Sequence, residues 1–299
     1  MVRSRYLPSP ASDCGSIFHV KKGWEGVNGA ARMKTKYLAV LGAAALTAIA
    51  STPTSADDQQ NQGSQSQCSA LPSHAALRAA LAQAQSEANG GFSLDMWATV
   101  VNRDGVVCAV AFTGGDRGDQ WPGSRVISAQ KANTGNAFSL PGLALSTSNL
   151  FSAVSPGGSL YGLQHSNPVN THVAYRGNAA NYGRANDPMT GGKVGGINVF
   201  GGGFALYNRC GEIVGGLGVS GDSSCADHNI GWKTRHNLQL DYVPGGVSGD
   251  ATRPDNIVSD ITPQTGQQEG TSASGWGHPA CSADATAIAA NLPVVRIVQ

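Results

Sequence analysis

The sequence predicts an α+β fold, a sheet with helices packed against it, and two observations carry that prediction. The first is a repeated hairpin. Apolar runs Trp97–Val101 and Val106–Phe112 flank Asn102-Arg103-Asp104-Gly105, and runs Phe204–Tyr207 and Ile213–Val219 flank Asn208-Arg209-Cys210-Gly211. Asn and Gly tolerate the left-handed backbone of a short loop, so each stretch reads as two antiparallel strands. The second observation is that a stretch with helical spacing follows each hairpin. Together they describe one mixed sheet with helices against it.

The elements follow in chain order. Residues 1–32 read as an upstream extension. Met33-Lys34-Thr35-Lys36 is basic, Tyr37–Ala50 is apolar, and Thr54-Ser55-Ala56 is small, the layout of a secretory signal over 33–56. The apolar run is shorter than the ~20 residues that span a bilayer, so no membrane segment is expected in the mature chain. The protein is accordingly expected to be secreted or periplasmic. Residues 57–70, rich in Gln, Asn, Ser and Asp, read as a disordered leader. A domain is expected over 71–243. Leu77, Leu81, Ala84 and Ala88 recur at helical spacing over 74–88. The first hairpin follows, then a polar loop over 113–119 and a helix over 126–138 carrying Lys131. Residues 139–195 hold Gly, Asn and Ser with Pro141, Pro156, Pro168 and Pro188, so long regular elements are not expected there. A loop this long is a cover beside a pocket, a contact between subunits, or a solvated insertion. A strand is expected at Ile197–Phe200, then Gly201–Gly203, the second hairpin, and a helix over 225–240. Residues 244–299 form an extension packed on the domain.

Bulk composition narrows the function classes. Charged residues are 13% of the 299, against a usual ~25%, and 40 are Gly. Net charge is +1 and no Lys/Arg cluster interleaves with aromatics, so nucleic acid and anionic membranes gain no support. Loss of the leader removes Cys14 and leaves Cys68, Cys108, Cys210, Cys225 and Cys281, in a compartment where disulfides persist. Cys68 lies just before the first helix, and Cys108 just past the turn of the hairpin that runs back along it, which favours that pair. Cys225 with Cys281 would pin the tail, leaving Cys210 unpaired.

Several motifs invite chemistry. Gly216-Leu217-Gly218-Val219-Ser220-Gly221 fits G-x-G-x-x-G, but its strand belongs to a hairpin and Asp241 follows a helix rather than a second parallel strand. Close backbone packing explains the glycines better than a dinucleotide does. Ser220 lacks the spaced glycine of a nucleophile elbow. Cys225, His228 and His236 suggest a metal, without the second close ligand pair that zinc sites show. His74, His165, His172, His228, His236 and His278 are potential haem axial ligands. Haem also wants an apolar slot with cations for its propionates, and Arg117, Arg125 and Lys131 flank the helix after the first hairpin.

Val100-Val101-Asn102-Arg103-Asp104-Gly105, Ala129-Gln130-Lys131-Ala132-Asn133-Thr134, Gly201-Gly202-Gly203, and Ile213–Gly221 with Asp227 occur in one order and spacing. In that plan the sequence resembles the GlcG/HbpS family of haem-binding, haem-degrading proteins. The resemblance covers about residues 74 to 240. It implies a profilin-like, five-stranded antiparallel sheet, assembly into homo-oligomers, and haem or a related tetrapyrrole as ligand, with haem handling, degradation or redox sensing as roles. It places Lys131 and Thr134 in the pocket wall; beside it, the residues themselves offer Arg125 as a propionate partner and His228 as a candidate axial ligand. Asn102 stands where the family has Asp, Gly135 where it has Ala, and 139–195 is longer than the family's connection. An exported partner-binding protein with no small ligand is the alternative, and a nucleotide-dependent oxidoreductase a third reading.

Overall fold

Both Asn-Arg-x-Gly sequences close the hairpins expected of them. A computed structural model describes residue 14, residues 68–262 and residues 270–299. The expected extension, signal and most of the leader therefore lie outside the described residues, Cys14 apart. The chain divides into two units, 1–55 and 56–299, and every element below belongs to the second. Strands β1 (Trp97–Asn102) and β2 (Val107–Phe112) form the first hairpin, and β3 (Gly203–Tyr207) and β4 (Ile213–Ser220) the second. The turns are made the same way. Asn102 Oδ1 accepts from the N–H groups of Asp104 (3.0 Å) and Val106 (2.9 Å), and Asn208 Oδ1 from those of Cys210 (2.9 Å) and Glu212 (3.1 Å). Gly105 and Gly211 take the left-handed positions, at φ +78° and +71°.

The hairpins join through β1 and β4, with Trp97 opposite Ser220 and Asn102 opposite Gly215. The order is β2-β1-β4-β3 and every pair is antiparallel. Among the described residues the sheet is antiparallel, as the five-stranded expectation has it and not mixed as the hairpins alone suggested, and it shows four strands, the fifth not being seen among them. Ile197–Phe200 is not a strand. Its backbone bonds go to side chains instead, with the Asn198 N–H donating to Thr134 Oγ1 (3.0 Å) and the Phe200 carbonyl accepting from Thr147 Oγ1.

Helices cover both faces of the sheet. Helix α1 (His74–Gln85), capped by Ser73, and α3 (Ser224–Asn237), capped by Ser223, lie on one face. There Leu77, Leu81 and Ile230 pack on Ala98, Val100, Leu217 and Val219. Helix α2 (Ser124–Phe138) lies on the other, where Val126, Ala129 and Ala132 meet Trp97, Val101 and Val110. Strand residues are buried on both faces, which is why β1 reads as a continuous apolar run without polar alternation.

The glycines of β4 let α2 lie directly on the sheet. A Cβ on Gly216 would overlap the Ala132 carbonyl, and one on Gly218 would overlap the Ser128 carbonyl and the Ala132 amide. From the helix side, a Cβ on Gly135 would sit 2.7 Å from the Phe204 nitrogen, which accounts for Gly in place of Ala. The dinucleotide-like spacing is thus a packing motif. Gly218→Ala is expected to destabilise the fold by about 1–3 kcal/mol in denaturant unfolding, because the obstacles are backbone and cannot rotate away.

Residues 139–195 are short helical turns and loops, and they enter the core: Ala174, Met189 and Val194 are buried with Trp97, Val107 and Val126. In the tail, Ala285, Ala289 and Leu292, within or just after helix α4 (Ala283–Ala290), pack on Phe204 and Trp232. The two expected disulfides form, Cys68–Cys108 with Cα atoms 5.6 Å apart and Cys225–Cys281 with 5.9 Å. Cys210 was expected unpaired and is disulfide-bonded. The odd count came from subtracting Cys14, which is also disulfide-bonded, and no described cysteine is free. No helix among the described residues is long and apolar enough to cross a membrane.

Candidate ligand site

Helix α2 begins immediately after Pro122-Gly123, and the polar loop before it and the insertion beside it stand apart from its first turn. Between them lies a cavity of about 470 Å³, lined by Trp97, Arg117, Gly123, Val126, Tyr175 and Tyr182 among others. That size falls in the range of small-molecule sites, and the walls are mainly apolar. Tyr175 is 61% exposed at this surface, while Trp97 is buried and donates its indole N–H to the Trp121 carbonyl at 3.1 Å.

Arg125 also lines the cavity, but its guanidinium is committed. It donates to both carboxylate oxygens of Asp187, to the Ala174 carbonyl at 2.7 Å, and lies 3.6 Å from the centre of the Tyr182 ring. Asp187 is fully buried and accepts in addition from the N–H groups of Gly183 (2.6 Å) and Met189 (2.8 Å). The pair therefore latches the insertion to α2 and shapes the turn that bears Tyr182. Arg117 is different. Its side chain is 45% exposed and, among the described residues, meets the exposed Asp116 carboxylate, at 3.5 Å. An exposed pair of this kind contributes little and yields readily to a better anion.

Lys131 and His228 share a second, interior region, and Thr134 stands one turn away. Lys131 Nζ donates to Asp227 Oδ2 at 2.7 Å and to the Val219 carbonyl at 3.1 Å, tying α2 to the start of α3. Asp227 also accepts from Gly221 and Asp222 N–H groups. Burial raises its carboxyl to about 6, against the pull of Lys131. The Thr134 hydroxyl donates to Gln130 (2.8 Å) and accepts from Asn198. His228 is fully buried against Phe204 and Trp232. Its Nε2 is within reach of Asn256 Oδ1 (3.0 Å) and the Ile257 N–H (3.1 Å), and its Nδ1 is 3.5 Å from Ser148 Oγ. Burial lowers this imidazole to about 3, so it is neutral.

His278 lies in the same interior, close enough that its charge bears on His228. Its Nδ1–H donates to the Pro279 carbonyl at 2.8 Å, which leaves Nε2 as a bare lone pair, buried and without a partner among the described residues. Burial lowers it to about 4. His236 points elsewhere, to Asp241 Oδ2 at 2.7 Å, and Cys225 is in its disulfide, so the cluster Cys225, His228 and His236 does not assemble. No group of three or more His, Cys, Asp or Glu among the described residues is placed to hold a metal ion.

Sequence reasoning gathered Arg117 and Arg125 near one pocket and missed Asp187, which carries no motif. Tyr175 and Tyr182 gave a signal, as aromatics in an otherwise small and polar stretch. It did not reveal that they form a wall.

A family described as HbpS-like haem-degrading proteins matches residues 73–234. No curated protein matches the chain. Among solved structures, protein ORFY of Klebsiella pneumoniae is similar at 23% identity, over 56% of this chain and 90% of its own, with a TM-score of 0.39. PduOC, solved as a complex with haem, is 22% identical over 56% of this chain and 94% of its own, with a TM-score of 0.39. A doubly substituted HbpS of Streptomyces reticuli is 18% identical over 66% of this chain and 99% of its own, with a TM-score of 0.35.

Proposed function

The chain belongs to the HbpS-like family of haem-degrading proteins, and from that premise we propose that it binds haem or a related tetrapyrrole in the cavity between α2 and the insertion. One observation carries the reading: a cavity of about 470 Å³ with aromatic walls and, at its edge, Arg117 in an exposed pair with Asp116. These residues fit the ring and a carboxylate of such a ligand. A bound haem supplies a redox-active iron. The chain's own side chains supply the rest. Tyr175 and Tyr182 offer aromatic contact, Arg117 exchanges Asp116 for a propionate, and Arg125 holds the Tyr182 wall in place.

A second seat is favoured by the unpartnered Nε2 of His278. In that reading Lys131 and Thr134 would border the ligand, and the unpartnered His278 Nε2, or His228 with its contacts to Asn256 and Ile257 released, would offer an imidazole to its iron. The two seats separate in a haemin titration followed by the Soret band. The cavity reading expects saturable binding that Arg117→Ala weakens and His228→Ala leaves in place. Loss of binding in His228→Ala alone moves the ligand to the interior, and no saturable shift in the intact protein refutes both.

Two disulfides support export to an oxidising compartment. Exposed Phe200, Tyr161 and Leu160 support self-association, which sedimentation velocity on the purified protein tests: a monomer at all concentrations contradicts it.

A further inference from the structure

The disulfide between Cys225 and Cys281 joins the part of the chain that matches the family, residues 73–234, to the C-terminal extension. Its two ends differ. Cys225 is 4% exposed in the first turn of α3, whereas Cys281 is an exposed residue of the loop before α4. The Cys225 N–H donates to Cys281 Sγ at 3.2 Å, and Ser224 Oγ lies 3.5 Å from the same sulfur. Cys225 Sγ is 3.5 Å from the Pro279 carbonyl, an acceptor that only the reduced thiol can use. That carbonyl also accepts from His278 Nδ1 (2.8 Å), whose Nε2 is buried and without a partner among the described residues. Beyond the bridge, Ser282 Oγ donates to the Gly90 carbonyl (3.0 Å), and the carbonyls of Ala285 and Ala289 accept from Asn229 Nδ2 (3.1 Å) and Asn256 Nδ2 (2.9 Å). Residues 278–290 thus lie as a strap against α3 and Trp232, fastened by the disulfide. The Cys68–Cys108 bridge is built differently: both residues are half-buried, Cys108 lies inside β2, and its sulfur faces the Val106 carbonyl at 3.5 Å.

We propose that Cys225–Cys281 is a thiol-exchange site that fastens and releases this strap, with dithiols as its reactant class. An external thiolate attacks Cys281 Sγ, on the exposed residue. The S–S bond breaks, and Cys225 leaves as a thiolate at the positive end of α3, which favours it as a leaving group. Asp227, the acid of the same turn, is paired with Lys131 Nζ at 2.7 Å, so its charge does not stand unopposed beside that thiolate. Cys225 then takes a proton from water and donates it toward the Pro279 carbonyl. The second thiol of the reactant displaces Cys281, whose thiolate is received by the Cys225 N–H. The dithiol is oxidised by two electrons to its own disulfide, and the bridge is reduced to two thiols. This site lies beyond the tetrapyrrole reading and does not depend on it.

The test uses the full chain under native conditions, with dithiothreitol and glutathione as probes, followed by acid quenching, alkylation and peptide mass spectrometry. Dithiothreitol is expected to open Cys225–Cys281 at a concentration at least about tenfold below the one that opens Cys68–Cys108. Glutathione should be found on Cys281 and not on Cys225. Once the bridge is open, amide hydrogen exchange over residues 278–290 should quicken at least about tenfold while β1–β4 keep their protection. The double variant Cys225→Ala with Cys281→Ala should show that fast exchange without added thiol, and no further change when thiol is added. Cys68–Cys108 opening first, or at the same concentration, overturns the exchange site. Glutathione on Cys225 rather than Cys281 overturns the direction of attack. Unchanged exchange over 278–290 after opening overturns the strap, and none of these results bears on ligand binding in the cavity.

Discussion

Replacing Asp187 with alanine is expected to lower the unfolding free energy by about 3–5 kcal/mol, the cost of leaving one partner of a buried ion pair alone. The Arg125 side chain is 2% exposed and Asp187 is fully buried, so neither charge has water to turn to. Asp187→Ala would also free the Gly183 and Met189 amides it now accepts from, opening the turn behind Tyr182. For a domain of this size the loss corresponds to a fall in Tm of about 10 °C. The double replacement Arg125→Met with Asp187→Leu should recover most of it, because an apolar pair has no charge to desolvate. A drop below about 1 kcal/mol in the single variant would show that the insertion is not latched by this bridge.

The second large effect is acid instability. His228 and His278 have folded values of about 3 and about 4, below the ordinary 6.5, because burial disfavours their charged forms. A depressed value favours folding only while the ring is neutral in both states. That contribution is complete above about pH 6.5 and is lost as pH falls toward 4 and 3, at about 1.4 kcal/mol per unit for each ring. Asp227 acts in the opposite sense. Its value is raised to about 6 from 3.8, so it favours folding below 3.8 and that contribution disappears as pH rises through 6. Two rings outweigh one carboxyl, and the net expectation is a loss of several kcal/mol between pH 6.5 and 4.5 in denaturant midpoints. His278→Gln should flatten this slope. An unchanged midpoint over that interval, or the same slope in the variant, contradicts neutral burial of these rings.

The hairpins were legible because their signal is local. Asn102 and Asn208 build their turns from their own side chains, and no distant residue is needed to predict them. The glycines of β4 were legible as packing, though only the structure shows that the surface they meet is α2. Ile197–Phe200 misled because apolar, β-branched residues look alike in a strand and in an extended segment tied down by Thr134 and Thr147. At the candidate site, Arg117 and Arg125 were both read as cations near one helix. Their separation into one exposed and one buried and committed depends on Asp187, more than sixty residues further along the chain, and no local pattern announces such a contact. Lys131 was read as a pocket residue from a motif and His228 as one of several histidines that could meet a haem, and the interior they share is set by Asp227, Asn256 and His278, drawn from three separate segments.

Gly123 offers the most direct test of where a ligand sits. It lines the cavity, its backbone has helical φ and ψ, and a Cβ built there meets nothing within 4 Å, so a side chain can be added at the cavity wall without meeting the backbone. The decisive measurement is a haemin titration of Gly123→Trp beside the unaltered protein, with Tm recorded for both. Tetrapyrrole binding in the cavity predicts that the saturable Soret change disappears in Gly123→Trp while Tm stays within about 2 °C, less than 1 kcal/mol of stability for a domain of this size. A Soret titration in Gly123→Trp that matches the unaltered protein would contradict it.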